Sequence, residues 1–263
     1  MLQSPLNYTG SKFKLLPQLL PLFPQNTTFF DPFVGGGSVS LNVNYTKIIA
    51  NDIIKPLVQF YQWLQITDWE TVLDEINKKN IPKDNQNKYL ELRERFNQQK
   101  DFIDFFILVS SCTNNMMRFN KKLIFNQTWG KRNFNPATEQ KLKQYHQKLY
   151  KNENIQFLNK NFFELEINEG FVYLDPPYCI TEAGYNAYWS KELELKLYDF
   201  VDNLNNKGIK FILSGVLEHK GVKNPFIDRM KKYDVIPLSM NYKKVAKIKE
   251  GITQEIIIKN YEN

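Results

Sequence analysis

Cysteine and histidine are nearly missing from this chain of 263 residues, with two of each. Cys112 and Cys179 are too few for a disulfide framework, and with two histidines they make no metal-ligand spacing. The same scarcity leaves no Cys/His pair to serve as a covalent nucleophile. No apolar run reaches the length of a membrane span, and Met1-Leu2-Gln3-Ser4 lacks a signal-peptide pattern. A reduced, metal-free, cytoplasmic protein is therefore expected, with no membrane contact. No internal repeat is present. Arginine is also rare: of 35 basic residues only 5 are Arg, beside 29 Asn, so each arginine merits separate attention.

The net charge of +7 and pI near 9.1 fit a polyanionic partner, although Lys-rich solubility produces the same numbers. At 42% apolar the chain can bury a full core. Short apolar runs at Thr28–Asp31, Lys47–Ala50, Ile155–Leu158, Phe171–Leu174 and Lys210–Leu213 read as strands. From Ile54 to Ser111 the periodicity is helical, with Thr67-Asp68-Trp69-Glu70 reading as a capping box and Pro82 separating two helices. Further helices are expected from Glu139 to Lys151 and from Ser190 to Lys207, the latter stopped by Gly208. Runs near Asn241–Val245 and Glu255–Ile258 read as a hairpin. Strands alternating with helices predict an α/β fold with a mostly parallel sheet. Residues 1–54 and 155–263 are expected to form this sheet domain, and 55–154 a largely helical insertion.

The apolar run Phe171–Leu174 ends on Asp175-Pro176-Pro177-Tyr178. Proline fixes φ, removes a backbone donor and keeps the residue before it extended. The Asp175 carboxylate and the Pro176 carbonyl can then address one place, as an exocyclic NH2 requires, while Tyr178 offers a ring to stack on a base. An ordinary strand-to-loop stop is the plainer alternative. The first strand runs into Asp31-Pro32-Phe33-Val34-Gly35-Gly36-Gly37-Ser38, the position of a nucleotide loop between a strand and a helix. Its glycines permit close backbone approach, but the spacing is not G-x-G-x-x-G and no Lys follows, so a pyrophosphate is not indicated. Asp52, at the end of the second strand, stands where an acid meets ribose hydroxyls. Adenosine without phosphates, as in S-adenosylmethionine (SAM), fits this pattern.

These residues resemble the Dam-type DNA adenine methyltransferases. The likeness runs from Tyr8-Thr9-Gly10-Ser11-Lys12 through the Asp31–Ser38 loop, Asn51-Asp52, Met117-Arg118-Phe119-Asn120 and Gly130-Lys131-Arg132 to the Asp-Pro-Pro-Tyr motif. It continues through Ile180-Thr181 to Tyr185-Asn186. Phage-encoded members look nearest. The resemblance implies a SAM-dependent, Rossmann-like fold with a seven-stranded sheet, base flipping in double-stranded DNA, and a target of GATC or a related site. It implies cofactor contacts at Tyr8, Lys12, Phe33, Gly35, Gly37, Asp52, Phe162 and Asp175, with Lys12 suited to the methionine carboxylate and Phe33 and Phe162 to the adenine ring.

Asp175, Pro176 and Tyr178 are the expected catalytic residues. Two acceptors on the amino hydrogens favour a tetrahedral nitrogen whose lone pair faces the methyl, and Asp175 stabilises the charge that develops. The irregular stretch from Cys112 to Pro136 is where DNA would be read, through Asn115, Met117, Arg118, Asn120, Lys131 and Arg132. Arg addresses guanine bidentately; Asn reads an adenine edge or merely satisfies loop backbone; Met116, Met117 or Phe119 wedges the duplex or is simply buried. Lys121, Lys122 and Lys141 are phosphate contacts or solvated charge. Thr128-Trp129 stands where the family often has Pro-Phe. A monomer or weak dimer on DNA is expected, with or without a restriction partner. A cytosine-N4 or RNA methyltransferase, or a non-catalytic nucleic-acid binder on the same scaffold, are the alternatives. The Asp at 175, where Ser would point to cytosine, and the intact glycine loop weigh against them.

Overall fold

The structure is a computed structural model that describes residues 1–6, 10–25, 28–120, 122–178, 180, 189–225, 227–238 and 254–262. Tyr8, Lys121, Thr181, Tyr185, Asn186 and the run 241–245 lie outside the described residues. The short apolar runs form strands β1 (Phe29–Asp31), β2 (Ile48–Asn51), β3 (Ile155–Leu158) and β4 (Phe171–Leu174). They are followed by β5 (Lys210–His219), β6 (Val222–Lys223), β7 (Asp234–Pro237) and β8 (Gln254–Lys259). The sheet order is β3-β2-β1-β4-β5-β8-β7, with β6 paired to β5. Pairings from β3 through β5 are parallel, and β8 is antiparallel to both β5 and β7. β4 sits at the centre and is buried throughout, which is why it reads as an unbroken apolar run.

Two strand expectations change. Glu255–Ile258 lies in β8, whose described partners are β5 and β7. β7 gave little signal because an edge strand that is mostly exposed and ends on Pro237 carries no core alternation. The glycine loop leads not into a helix but into turns, pinned by Asn42, whose Nδ2 donates to Ser38 O (2.9 Å) and Leu2 O (2.9 Å).

The helices are α1 (Leu16–Leu19), α2 (Lys55–Ile66), α3 (Trp69–Lys79), α4 (Gln86–Gln99), α5 (Phe102–Ser111), α6 (Pro136–Leu149), α7 (Lys191–Asn206) and α8 (Ile227–Met230). The cap of α3 is Asp68, one residue later than the capping-box reading. Its carboxylate accepts from Thr71 N at 2.9 Å, while Thr67 N is spent on Trp63 O at the end of α2. Ser190 caps α7, and Gly208 follows that helix with φ of 70°.

Helices α2 to α6 lie between β2 and β3 in the chain, yet their apolar faces share one core with the N-terminal segment and one face of the sheet. The other face packs on α7. Two tyrosines tie the intervening helices to the cofactor-type loop. Tyr61 of α2 donates to Gly35 O (2.9 Å) and Tyr145 of α6 to Gly36 O (3.0 Å).

Candidate active site

The carboxyl ends of β1, β2 and β4 open into one cavity of about 320 Å³, a size that suits a small-molecule cofactor. Asp31, Phe33, Gly35, Asp52, Asp175 and Tyr178 all reach its wall. Parallel strands end side by side here, so the two loops that the sequence separates by more than a hundred residues meet at one place.

At the β4 exit, Pro176 is buried and Tyr178 folds back so that its hydroxyl donates to Asp175 Oδ1 at 3.0 Å. The same oxygen faces Lys12 Nζ at 2.9 Å. Lys12 was expected to reach a cofactor carboxylate. Its ammonium, 4% exposed, instead pairs with Asp175, donates to Gly10 O (3.1 Å), and stands 5.2 Å from the Tyr178 ring centre. Burial opposes the Lys12 charge, but Asp175, Tyr173 and Glu255 outweigh it and hold the pKa above the usual lysine range. The acceptor-lined pocket inferred from the two prolines thus contains a cation.

At the β1 and β2 exits, Asp52 is buried and holds the glycine loop. Its Oδ2 accepts from Gly35 N (2.9 Å) and its Oδ1 from Ile54 N (2.9 Å). Burial pushes its carboxyl up to about 6 against those bonds. Asp31, also buried, accepts from Ser40 Oγ (2.5 Å) and Phe33 N (3.3 Å), and burial lifts it to about 7. Asn51 ties this loop to the β3 exit, its Nδ2 donating to Pro32 O and Lys160 O, each at 3.0 Å. Gly37 is not on the cavity wall. It makes the turn behind it, with φ of 71° and its N–H on Val34 O at 2.7 Å.

The aromatic wall differs from a sandwich. The Phe33 and Phe162 ring centres are 5.1 Å apart at an interplanar angle of 40°, leaving no gap for a third ring. They form a side wall with Trp189, which stands 5.8 Å from Phe33 and 5.7 Å from Phe162. Trp189 Nε1 is fixed by Glu194 Oε2, whose other oxygen accepts from Tyr198 at 2.8 Å. A planar base can lie against this wall, with ribose hydroxyls toward the remaining lone pairs of Asp52. The residues present therefore fit SAM.

The region from Cys112 to Pro136 folds as a loop and a short hairpin closed by the Phe119–Phe125 bridge. Several expected DNA readers are occupied within the chain. Asn115 is buried and donates to Val109 O (2.9 Å) and Ser110 O (3.0 Å), capping α5, while its Oδ1 accepts from Arg132 Nη1 (2.7 Å). Met117 and Phe119 are core residues at 4% and 5% exposure, so neither is a wedge as it stands. Asn120 Oδ1 accepts from Lys122 N (2.9 Å) and Ile124 N (3.1 Å) in the hairpin turn, as loop asparagines commonly do. Arg118 donates from Nε to Asn126 Oδ1 (3.0 Å) and from Nη2 to Asn126 O (2.9 Å), keeping only its Nη1 side open among the described residues. Lys131 and Arg132 are exposed, and Leu123 and Ile124 at the hairpin tip are the large apolar groups that do face solvent. Gly130 permits the loop to close on α5, since a Cβ there would meet Cys112 O at 2.4 Å.

Sequence reasoning missed Trp189 and Glu255. The first is a single aromatic after an irregular segment. The second is one acid in an apolar strand, and only the sheet order brings it near Lys12. Among the described residues no cluster of His, Cys, Asp and Glu is arranged to hold a metal, and no helix is long and apolar enough to cross a membrane.

The sheet order, with its antiparallel strand inserted next to the edge, and the cavity joining an acidic glycine loop to Asp-Pro-Pro-Tyr define a Rossmann-like methyltransferase fold. The sequence pattern of the D12 class N6 adenine-specific DNA methyltransferases matches residues 8–250, and the chain belongs to that family. It is 36% identical to the Type II methyltransferase M.FokI of Planomicrobium okeanokoites, over 100% of this chain and 43% of that protein. It is 34% identical to the modification methylase StsI of Streptococcus sanguinis, over 99% and 43% respectively. Against a DNA adenine methylase of Vibrio cholerae it is 28% identical, over 70% of this chain and 68% of the relative. The chain spans less than half the length of the first two relatives.

Proposed function

We propose that this chain transfers a methyl group from SAM to the exocyclic amino nitrogen of an adenine flipped out of double-stranded DNA, in GATC or a related short site. The observation that carries this reading is that a single cavity holds both Asp52 with the glycine loop and Asp175 with Tyr178. One end suits an adenosine and the other an amino group on a planar ring.

SAM supplies an electrophilic methyl on a sulfonium. The chain does the rest by placement. Phe33, Phe162 and Trp189 give the cofactor base an apolar wall, Asp52 takes ribose hydroxyls, and Gly35 lets backbone approach. Tyr178 stacks on the flipped adenine, and Asp175 with the Pro176 carbonyl accepts its amino hydrogens, so that the nitrogen lone pair points at the methyl. Asp175 then stabilises the positive charge developing on nitrogen. Residues 55–154 contribute the DNA-reading surface, with the 112–135 segment nearest the bases and Lys131, Arg132 and Lys122 on phosphates. The protein acts as a monomer or weak dimer on DNA.

Tritiated SAM with unmethylated duplex DNA tests the reading. Label recovered as N6-methyladenine is expected, and sequencing of the product gives the site. Label on cytosine or on RNA alone, or no transfer with DNA still bound, would replace it.

A further inference from the structure

Glu255 lies on β8, and the sheet register brings it to the catalytic end. Leu174 of β4 pairs with Leu213 of β5, and Leu213 with Ile258 of β8. β8 runs the opposite way, so stepping back from Ile258 reaches Glu255 beside Val216, at the end of the sheet from which Asp175 leaves β4. Glu255 Oε2 is buried and, among the described residues, has no hydrogen-bond partner. A buried carboxylate oxygen left so needs an explanation.

Among the described residues the charges that act on it are Lys12, from the turn preceding α1, and Asp175, from the β4 exit. Its neighbours on β5 and after β7, Val216 and Leu238, are uncharged. Burial raises the Glu255 carboxyl, Lys12 opposes this, and Asp175 adds to it. Lys12 is held in its charged form by both acids. One buried ammonium therefore serves two carboxylates, of which only Asp175 touches it.

We propose that Glu255 is a positioning residue for methyl transfer, the standing counter-charge that keeps Lys12 charged and in place while Asp175 takes up the proton lost by the amino nitrogen. The inference rests on the function proposed above. In that reaction the nitrogen gains a C–N bond as the methyl's bond to sulfur breaks, its electron pair remaining on sulfur. The nitrogen then sheds one proton to Asp175, which becomes neutral. Lys12 at that moment has lost its contact counter-ion while only 4% exposed, and an uncompensated buried cation is costly. A second carboxylate within electrostatic reach removes that cost.

The test compares wild type, Glu255→Gln and Glu255→Asp in single-turnover methyl transfer across acidic to alkaline pH, with SAM affinity by calorimetry and thermal melting of the unloaded protein. Glu255→Gln is expected to slow transfer about 10- to 100-fold at neutral pH with SAM affinity little changed. The wild-type rate should fall on the acid side as Glu255 protonates. Measured at saturating SAM, so that protonation of Asp52 does not enter, that limb should vanish in Glu255→Gln and persist in Glu255→Asp. Because burial makes the charged form costly, Glu255→Gln should melt no lower than wild type at neutral pH, whereas a merely structural acid would lower it. A Gln variant transferring at the wild-type rate, or one slowed equally at every pH with the acid limb intact, overturns the proposal. If wild type transfers no methyl to DNA, the functional reading falls and takes this inference with it; an active wild type matched by Glu255→Gln defeats the inference alone.

Discussion

Lys12 Nζ and Asp175 Oδ1 stand 2.9 Å apart, and this contact ties the N-terminal segment to the end of the central strand. The residue proposed above to accept the amino group is therefore also the contact counter-ion of a buried cation. Asp175→Ala should cut single-turnover transfer by at least about 10²–10³-fold through loss of electrostatic stabilisation. It should also lower stability, by less than the ~3–5 kcal/mol of a fully buried pair, because Asp175 is 21% exposed and Glu255 remains nearby. Adding Lys12→Met should restore melting without restoring transfer. Melting curves and single-turnover rates of the single and double variants check both halves; a rate within tenfold of wild type would remove Asp175 from the chemistry.

Asp52 has two duties, since its Oδ2 holds Gly35 N of the glycine loop and its Oδ1 holds Ile54 N of the turn that follows it, while the same carboxylate is expected to meet a ribose. Asp52→Ala should weaken SAM binding roughly 10- to 100-fold, the worth of charge-assisted bonds at ~1.5–3 kcal/mol. It should also destabilise the apo protein, because Gly35 N loses its acceptor. With its carboxyl raised to about 6 by burial, Asp52 protonates on mild acidification, so SAM affinity should fall as pH drops through that value. Calorimetry above and below it is the check. Unchanged affinity would leave Asp52 as a loop brace only.

The fold and the two ends of the site were legible because each leaves a local mark. Phe171–Leu174 followed by Asp-Pro-Pro-Tyr reads as a buried strand with a rigid exit, and Asp31 to Ser38 as a loop needing glycine. What was not legible depends on pairing across the sheet or between loops. Lys12 carries no sign that its partner is Asp175, and Glu255 resembles any strand residue until β8 is placed beside β5. The stretch from Cys112 to Pro136 was less legible for a related reason. Asn115, Met117 and Asn120 have base-reading chemistry, but an irregular loop must satisfy its own backbone and core first, and those side chains are used for that.

Asp31 offers a stability test independent of catalysis. Its folded carboxyl is raised to about 7, chiefly by burial, so the folded state binds this proton more tightly than the unfolded chain does. The stabilisation is fully present below the unfolded carboxylate range and is lost as pH rises through about 7. Asp31→Asn, which cannot ionise, should therefore gain stability relative to wild type between about pH 4 and 7, whatever its offset at low pH. Denaturant melts of both proteins across that interval read the slope. A difference that is flat with pH would mean that Asp31 is not titrating there.

Arg118 and Arg132 are both held by asparagines, but in ways that predict different behaviour. Arg118 is clamped at Nε and Nη2 by Asn126, which fixes the guanidinium plane in the hairpin and, among the described residues, leaves Nη1 open. A pre-oriented guanidinium loses less entropy on meeting a base edge, so Arg118→Ala should lose discrimination at one base pair by ~1–3 kcal/mol. Asn126→Ala should lose part of the same discrimination, because the plane is no longer held. Arg132 is exposed, joined to Asn115 through Nη1, and preceded by the exposed Lys131. Its replacement by Ala should weaken all sequences about equally and reduce the salt slope by about one. Methylation of duplexes carrying single changes in the site, at two salt concentrations, separates the two patterns. Uniform loss for Arg118→Ala, with Asn126→Ala silent, would make the hairpin a basic clamp and move base reading to another element.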